Sequence, residues 1–297
     1  MKKIRNVLFT ILMFLIVYII YDNIDIITTR VRDLLINNNE PSKVTKNAYT
    51  RSYNYINFNY NEEYIPYNKE DIINIYFNIL NNGEKEFTFY CPSEYKTCTE
   101  DIISIGKDNT LMSNINNYVH PFNSFESIST KVSSLGNVTI YINYKYSKEK
   151  INEINSKVDL IFKSLELDGL SNKEKLEKIH DYIIENTKYD NESETSSYDS
   201  TSSYGTLIEG YAVCSGYSDT MAIFLDRLNI PNLKVSSKNH IWNLVYLGNK
   251  WLHLDLTWDD SDDDKYNNNY FLITKEKLFE LDSKEHMFDE SFFVEAR

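Results

Sequence analysis

The chain has 297 residues, enough for two modest domains that each bury a core. Its 42% hydrophobic and 25% charged residues are ordinary for a globular protein. A formal charge of −13 excludes nucleic acid as an expected partner, because a phosphate backbone calls for Lys and Arg in excess. Three cysteines exclude a disulfide scaffold, and glutamine is absent altogether.

At the N-terminus, "MKKIRN" places positive charge ahead of an apolar run from Val7 to Tyr21. As a helix that run spans about 22 Å, short of a hydrocarbon core of about 30 Å unless the flanking Lys and Arg snorkel. Asp22-Asn23-Ile24-Asp25 lacks the small residues of a cleavage site, so residues 1–23 read as an uncleaved signal anchor with the remainder outside the cell. A secreted, cleaved product is the alternative. Residues 24–48 read as a polar juxtamembrane linker.

Residues 49–147 read as a small α+β domain. "NKEDIINIYFNIL" has helical periodicity, "EFTFYC" alternates like a strand, and "SFESISTKV" and "NVTIYINYKY" form two strands around Leu135-Gly136-Asn137. Cys91 and Cys98 bridge in an oxidising compartment and stay free thiols otherwise; no second Cys or His pair makes them a metal site. His120 is solitary and reads as a packed or turn histidine.

From residue 148 to 297 the pattern opens on two helices. "KEKINEINSKVDLIFKSLEL" carries one apolar stripe, and "LSNKEKLEKIHDYIIENTKYD" begins with a Ser171/Glu174 capping box and turns His180 to the core. A Ser/Thr-rich loop follows, and then "GYAVCSGYSDT". Tyr217, Met221, Phe224, Leu225 and Leu228 recur at helical spacing, which puts Cys214 at a helix N-terminus, where orphan N–H groups and the dipole favour a thiolate. Any small residue fits there too.

"HIWNLVYL" and "KWLHLDLTW" flank Gly248-Asn249 as a hairpin. Counted outward from the turn, Leu247 faces Lys250, Trp242 faces Asp255 and His240 faces Thr257. His240, Trp242, His253, Asp255 and Thr257 then share one face, with His240 and Asp255 diagonal neighbours. A carboxylate there orients an imidazole and stabilises its charged form. His253 pairs less well with Asp255, so it reads as a neighbour. "WDDSDDDKYNNN" lacks the spaced Gly and final Glu of a calcium loop and reads as a solvated acidic loop.

The Cys, His-x-Trp-Asn and Asp-x-Thr-Trp motifs, in that order over about residues 150–275, resemble bacterial proteins of the transglutaminase-like superfamily. The resemblance implies an α+β, papain-like core of helices packed on an antiparallel sheet, with Cys214 as nucleophile, His240 as base and Asp255 as its orienting partner. The implied chemistry is acyl transfer on peptide or protein amides, cell-wall peptide included, with hydrolysis favoured over cross-linking and no cofactor or metal. Because papain-type enzymes use a Gln amide as oxyanion donor and this chain has none, the Cys214 N–H and, more weakly, Tyr204 stand in its place. Trp242 is a candidate for the substrate groove. The competing reading is a non-catalytic scaffold whose groove binds a peptide or an envelope partner.

Overall fold

The computed structural model describes residues 2–38, 43–60, 64–133, 136–192, 196–260 and 267–297. Two helices come first, α1 (Lys2–Asp22) and α2 (Ile24–Asn38). The expected linker is therefore helical at its start, and residues 39–42 within it lie outside the described residues. In α1, the stretch Arg5–Asp22 has a mean hydropathy of 1.7 and none of it is buried among the described residues. At 21 residues α1 is about 31 Å long, sufficient for a membrane anchor or a signal sequence.

The next unit contains α3 (Lys69–Asn81), β1 (Glu86–Tyr90), α4 (Cys98–Lys107), α5 (Asn109–Asn116), β2 (Phe125–Val132) and β3 (Asn137–Tyr144). Asn68 and Asp71 exchange bonds in a capping box that starts α3. The strands form an antiparallel sheet in the order β1-β3-β2. Gly136, at φ +82°, closes the β2–β3 connection, while its neighbour Leu135 lies outside the described residues. Cys91 and Cys98 are joined in a disulfide with their Cα atoms 5.8 Å apart, which answers the question left open by their spacing.

Two amphipathic helices, α6 (Lys148–Ser164) and α7 (Asn172–Glu185), lead into the C-terminal half. The Ser171/Glu174 capping box starts α7 as its sequence predicts. There follow β4 (Lys188–Tyr189), β5 (Tyr211–Ala212), α8 (Cys214–Arg227), β6 (Asn232–Ser236), β7 (Ile241–Leu247), β8 (Lys250–Leu254), α9 (Leu256–Asp259) and α10 (Lys275–Leu281). Strands β6-β7-β8 form an antiparallel sheet in that order, and Leu247 pairs with Lys250 as counted from the turn.

That sheet is buried on both faces. Val245 and Leu254 join α6, α7 and α8 in one apolar core, with Ile179, Met221 and Phe224 among its fully buried residues. Leu233, Val235, Trp242 and Leu244 point the other way, into a core continuous with Phe77, Phe87 and Tyr118 of the preceding unit. Buried charge spans the same junction. Arg51 reaches across to Asp226 on α8 at 2.7 Å, and Asp219 on α8 takes Lys234, Lys145 and the Tyr146 hydroxyl. Such pairs are costly to break once desolvated, so they hold α8 in one register against its surroundings.

By the loop-entropy argument, a bridge over a sequence separation of 7 is worth about 2 kcal/mol. The double variant Cys91→Ala/Cys98→Ala is expected to lower the unfolding free energy by that amount, read from urea denaturation.

Candidate active site

Cys214 is the first residue of α8, and the preceding Val213 offers no side-chain cap to the helix terminus. A close approach fixes this start: a Cβ on Gly216 would lie 2.4 Å from the Ser200 carbonyl oxygen. Glycine is needed because the 200–206 loop lies directly on the first turn. Tyr146 ties that loop down, its hydroxyl accepting from Ser203 N–H while donating to Asp219. Cys214 is half-buried and is the free cysteine of the three.

His240 sits one residue ahead of β7, in a turn where its own carbonyl accepts from Ser237 N–H and its N–H donates to Ser237 Oγ. The imidazole Nε2–H donates to Asp255 Oδ2 at 2.5 Å, and the Cys214 thiol lies near enough to the same ring to favour its charged form. With Nε2 on Asp255, Nδ1 is left to serve the sulfur. Burial disfavours charge on His240. The Asp255 carboxylate, and after it Cys214, outweigh that and hold the imidazole up at about 10. Burial likewise pushes Asp255 up, but His240 and then His286 bring its carboxyl down to about 2.

Asp255 does not continue the strand. Strand β8 stops at Leu254, and Asp255 caps α9 by accepting at Oδ1 from the N–H groups of Thr257 (3.0 Å) and Trp258 (3.3 Å). Two expectations change with this turn. Thr257 is helical and no longer opposite His240, and Trp258 in place of Trp242 reaches the cleft beside His240. That cleft, about 490 Å³, is lined by Tyr189, Asn191, Asn239, His240, Thr257, Trp258, Asp260 and Glu285. Trp242 is 1% exposed; it stacks on His240 at 5.6 Å and donates its indole N–H to His253 Nδ1. His253 is thereby occupied as an acceptor, and burial holds it down at about 4.

Tyr204 is also corrected. Its hydroxyl donates to Glu153 on α6 at 3.0 Å and Lys150 lies over its ring, so its phenol is engaged away from the Cys214–His240 pair. Tyr189 is the phenol beside them. It lines the cleft, and its hydroxyl is pushed up by burial, then by Cys214 and Asp190. The other histidines are structural: His120 accepts from Phe122 N–H in a turn, and His180 is enclosed between Asp181 and Asp259.

One residue at the site carried no sequence signal at all. His286, with no exposed surface, places Nε2 2.9 Å from Asp255 Oδ2 and Nδ1 3.0 Å from Asp282 Oδ2. Among the described residues, His240, Asp255 and His286 bring three potential metal-ligand atoms within 4.8 Å of one another. They are spaced here as hydrogen-bond partners, and a zinc ion at about 2.0–2.2 Å from each would have to part them.

Residues 163–256, which include Cys214, His240 and Asp255, match the family model of the transglutaminase-like superfamily. These residues form a transglutaminase-like domain. A solved structure described as "Crystal structure of a TGase" is similar at 18% identity with a TM-score of 0.35, over 50% of this chain and 49% of that one. The chain thus spans about half the length of that structure. No curated protein matches. Transglutaminase-like domains act on protein or peptide substrates, and the superfamily points to cysteine-dependent acyl transfer. The matched stretch ends before Tyr270 and His286.

The His240–Asp255 pair links stability to pH with a definite sign. His240 is raised from 6.5 to about 10, so its contribution is complete below about pH 6.5 and fades as pH rises through 10. Asp255 is lowered from 3.8 to about 2, so its contribution is complete above about pH 3.8 and is lost as pH falls through 2. The Tm difference between wild type and His240→Gln is expected to be widest near pH 4–6.5 and to narrow toward pH 10, as read by calorimetry.

Proposed function

We propose that the protein is a cysteine-dependent acyl transferase that hydrolyses peptide or protein amides, with Cys214 as nucleophile, His240 as base and acid, and Asp255 as its orienting partner. The observation that carries this reading is the continuous contact from the α8 N-terminus through His240 to a buried, ionised Asp255. A binding groove alone gains nothing from such a chain.

In the reaction, Cys214 Sγ attacks the amide carbonyl carbon and the C–N bond breaks as the tetrahedral intermediate collapses. His240 Nδ1 gives its proton to the leaving amine, which departs and leaves a thioester on Cys214. Water then attacks the thioester, His240 takes the water's proton, and the acid leaves as the C–S bond breaks, which regenerates the Cys214 thiolate beside the His240 imidazolium. In this reading the Cys214 backbone N–H and the Tyr189 hydroxyl serve as the oxyanion donors. Asn191, Asn239, Asp260 and Glu285 make the cleft polar and wet, which favours water over an amine as the acyl acceptor.

The reading extends to location. The α1 helix serves as a membrane anchor with the catalytic part on the extracytoplasmic side, supported by its apolar length and by the Cys91–Cys98 disulfide, a bond of oxidising compartments. Cell-envelope peptides fall within reach of an enzyme so placed.

Because Cys91 and Cys98 are bonded to each other, iodoacetamide without reductant reports on Cys214. Wild type is expected to alkylate at pH 6 at least about tenfold faster than His240→Ala. Equal rates would sink the acyl-transfer reading and leave a peptide-binding scaffold. Once a peptide substrate is in hand, Tyr189→Phe is expected to lower kcat by about 10²-fold, as loss of an oxyanion donor does. Tyr204→Phe is expected to leave kcat unchanged.

A further inference from the structure

An ionised carboxylate excluded from water must have its charge met by donors, or it takes up a proton. Asp255 is 1% exposed, and its two oxygens are served by different means. Oδ1 is met by backbone, through the α9 cap. Oδ2 is met by two imidazoles, His240 at 2.5 Å and His286 at 2.9 Å. His240 cannot serve as a fixed donor, because its charge and position change as it passes protons to and from substrate. The second imidazole has no such duty.

His286 is built to stay where it is. Its ring stacks on Tyr270 at 5.3 Å and meets Trp258 and Trp242 edge-on at 4.9 Å each. Its other nitrogen faces Asp282, the residue that ends α10. Asp282 Oδ2 also accepts from the N–H groups of Glu285 and His286, which orients that carboxylate in turn. Both ring nitrogens thus lie within hydrogen-bond distance of a carboxylate oxygen. With no exposed surface, His286 cannot touch a substrate, and it acts on the chemistry only through Asp255.

Resting on the acyl-transfer reading above, we propose that His286, braced by Asp282, is a positioning residue that keeps Asp255 ionised and aimed at His240, and so sets how far into acid the Cys214–His240 pair stays reactive. Other titratable groups face this cluster: His253 from β8, Asp259 from α9, Tyr270 from the segment after it and Cys214 from α8. Asp259 is engaged by His180 and His253 by Trp242, which leaves His240 and His286 as the side-chain donors to Asp255 among the described residues.

The test is the pH profile of Cys214 alkylation in the full chain, held in detergent micelles without reductant, for wild type, His286→Phe, His286→Gln and Asp282→Asn. Phenylalanine keeps the ring packing and removes both donors; glutamine restores one donor at the position of Nε2. His286→Phe is expected to move the acid limb up by about one pH unit, a loss of about tenfold in rate at pH 5. His286→Gln is expected to return most of the way to wild type.

Coincident wild-type and His286→Phe profiles would overturn the proposal. So would Phe and Gln variants that move together, because that behaviour belongs to packing. Should His286→Phe not fold, Asp282→Asn decides, since Asp282 is at the edge of the cluster and must shift the limb in the same direction. A wild-type profile no different from that of His240→Ala sinks the acyl-transfer reading itself, an outcome visible before any His286 variant is compared.

Discussion

The buried carboxylate of Asp255 is the point on which the C-terminal half of this protein is organised. Four donors converge on it from three parts of the chain: two backbone N–H groups of α9, the imidazole ahead of β7, and the imidazole beyond α10. Each donor answers the same need, since a desolvated charge is stable only when its lone pairs are filled. The strand ends where it does, and α9 begins where it does, because Asp255 serves as N-cap and ion-pair partner at once. The aromatic wall of Trp242, Trp258 and Tyr270 keeps water out and so makes each of those bonds stronger.

That arrangement needs rigid support, and the packing supplies it from both sides of the β6-β7-β8 sheet. The helical core braces one face and places α8 so that its first residue, Cys214, meets His240. The core shared with the preceding α+β unit braces the other. Arg51–Asp226 and the Lys145, Lys234 and Tyr146 contacts to Asp219 lie along this junction. The N-terminal unit therefore contributes no side chain to the proposed chemistry and yet helps determine its geometry.

A division of labour follows within the site. Of the groups that would change charge or contact substrate, His240 and Tyr189 border the cleft and Cys214 lies beside His240, while those that steady them, Asp255, His286 and Asp282, lie behind. The rim is polar, with Asp260 tied to Tyr217 of α8 and Glu285 next to His286 in sequence. Glu285 on the rim and His286 in the interior are thus carried by the same short segment after α10.

Much of this was legible in the residues themselves, wherever the deciding physics is local. Helix starts at Asn68 and Ser171 follow from capping chemistry, and the turn at Gly248-Asn249 sets the β7–β8 register, which brings His240 beside Asp255. The order of the Cys, His and Asp motifs carried the family resemblance. What the sequence could not determine depends on where distant segments come to rest. Asp255 left the strand to cap α9, which buried Trp242 and sent Trp258 to the cleft. Tyr204 went to Glu153 while Tyr189 went to the cleft beside His240, a choice made by packing between elements. His286, separated from Asp255 by 31 residues, has no periodicity or motif to mark it. Local bonding rules are written in neighbouring residues; the partner that fills the last lone pair of a buried charge is selected only when the whole chain has packed.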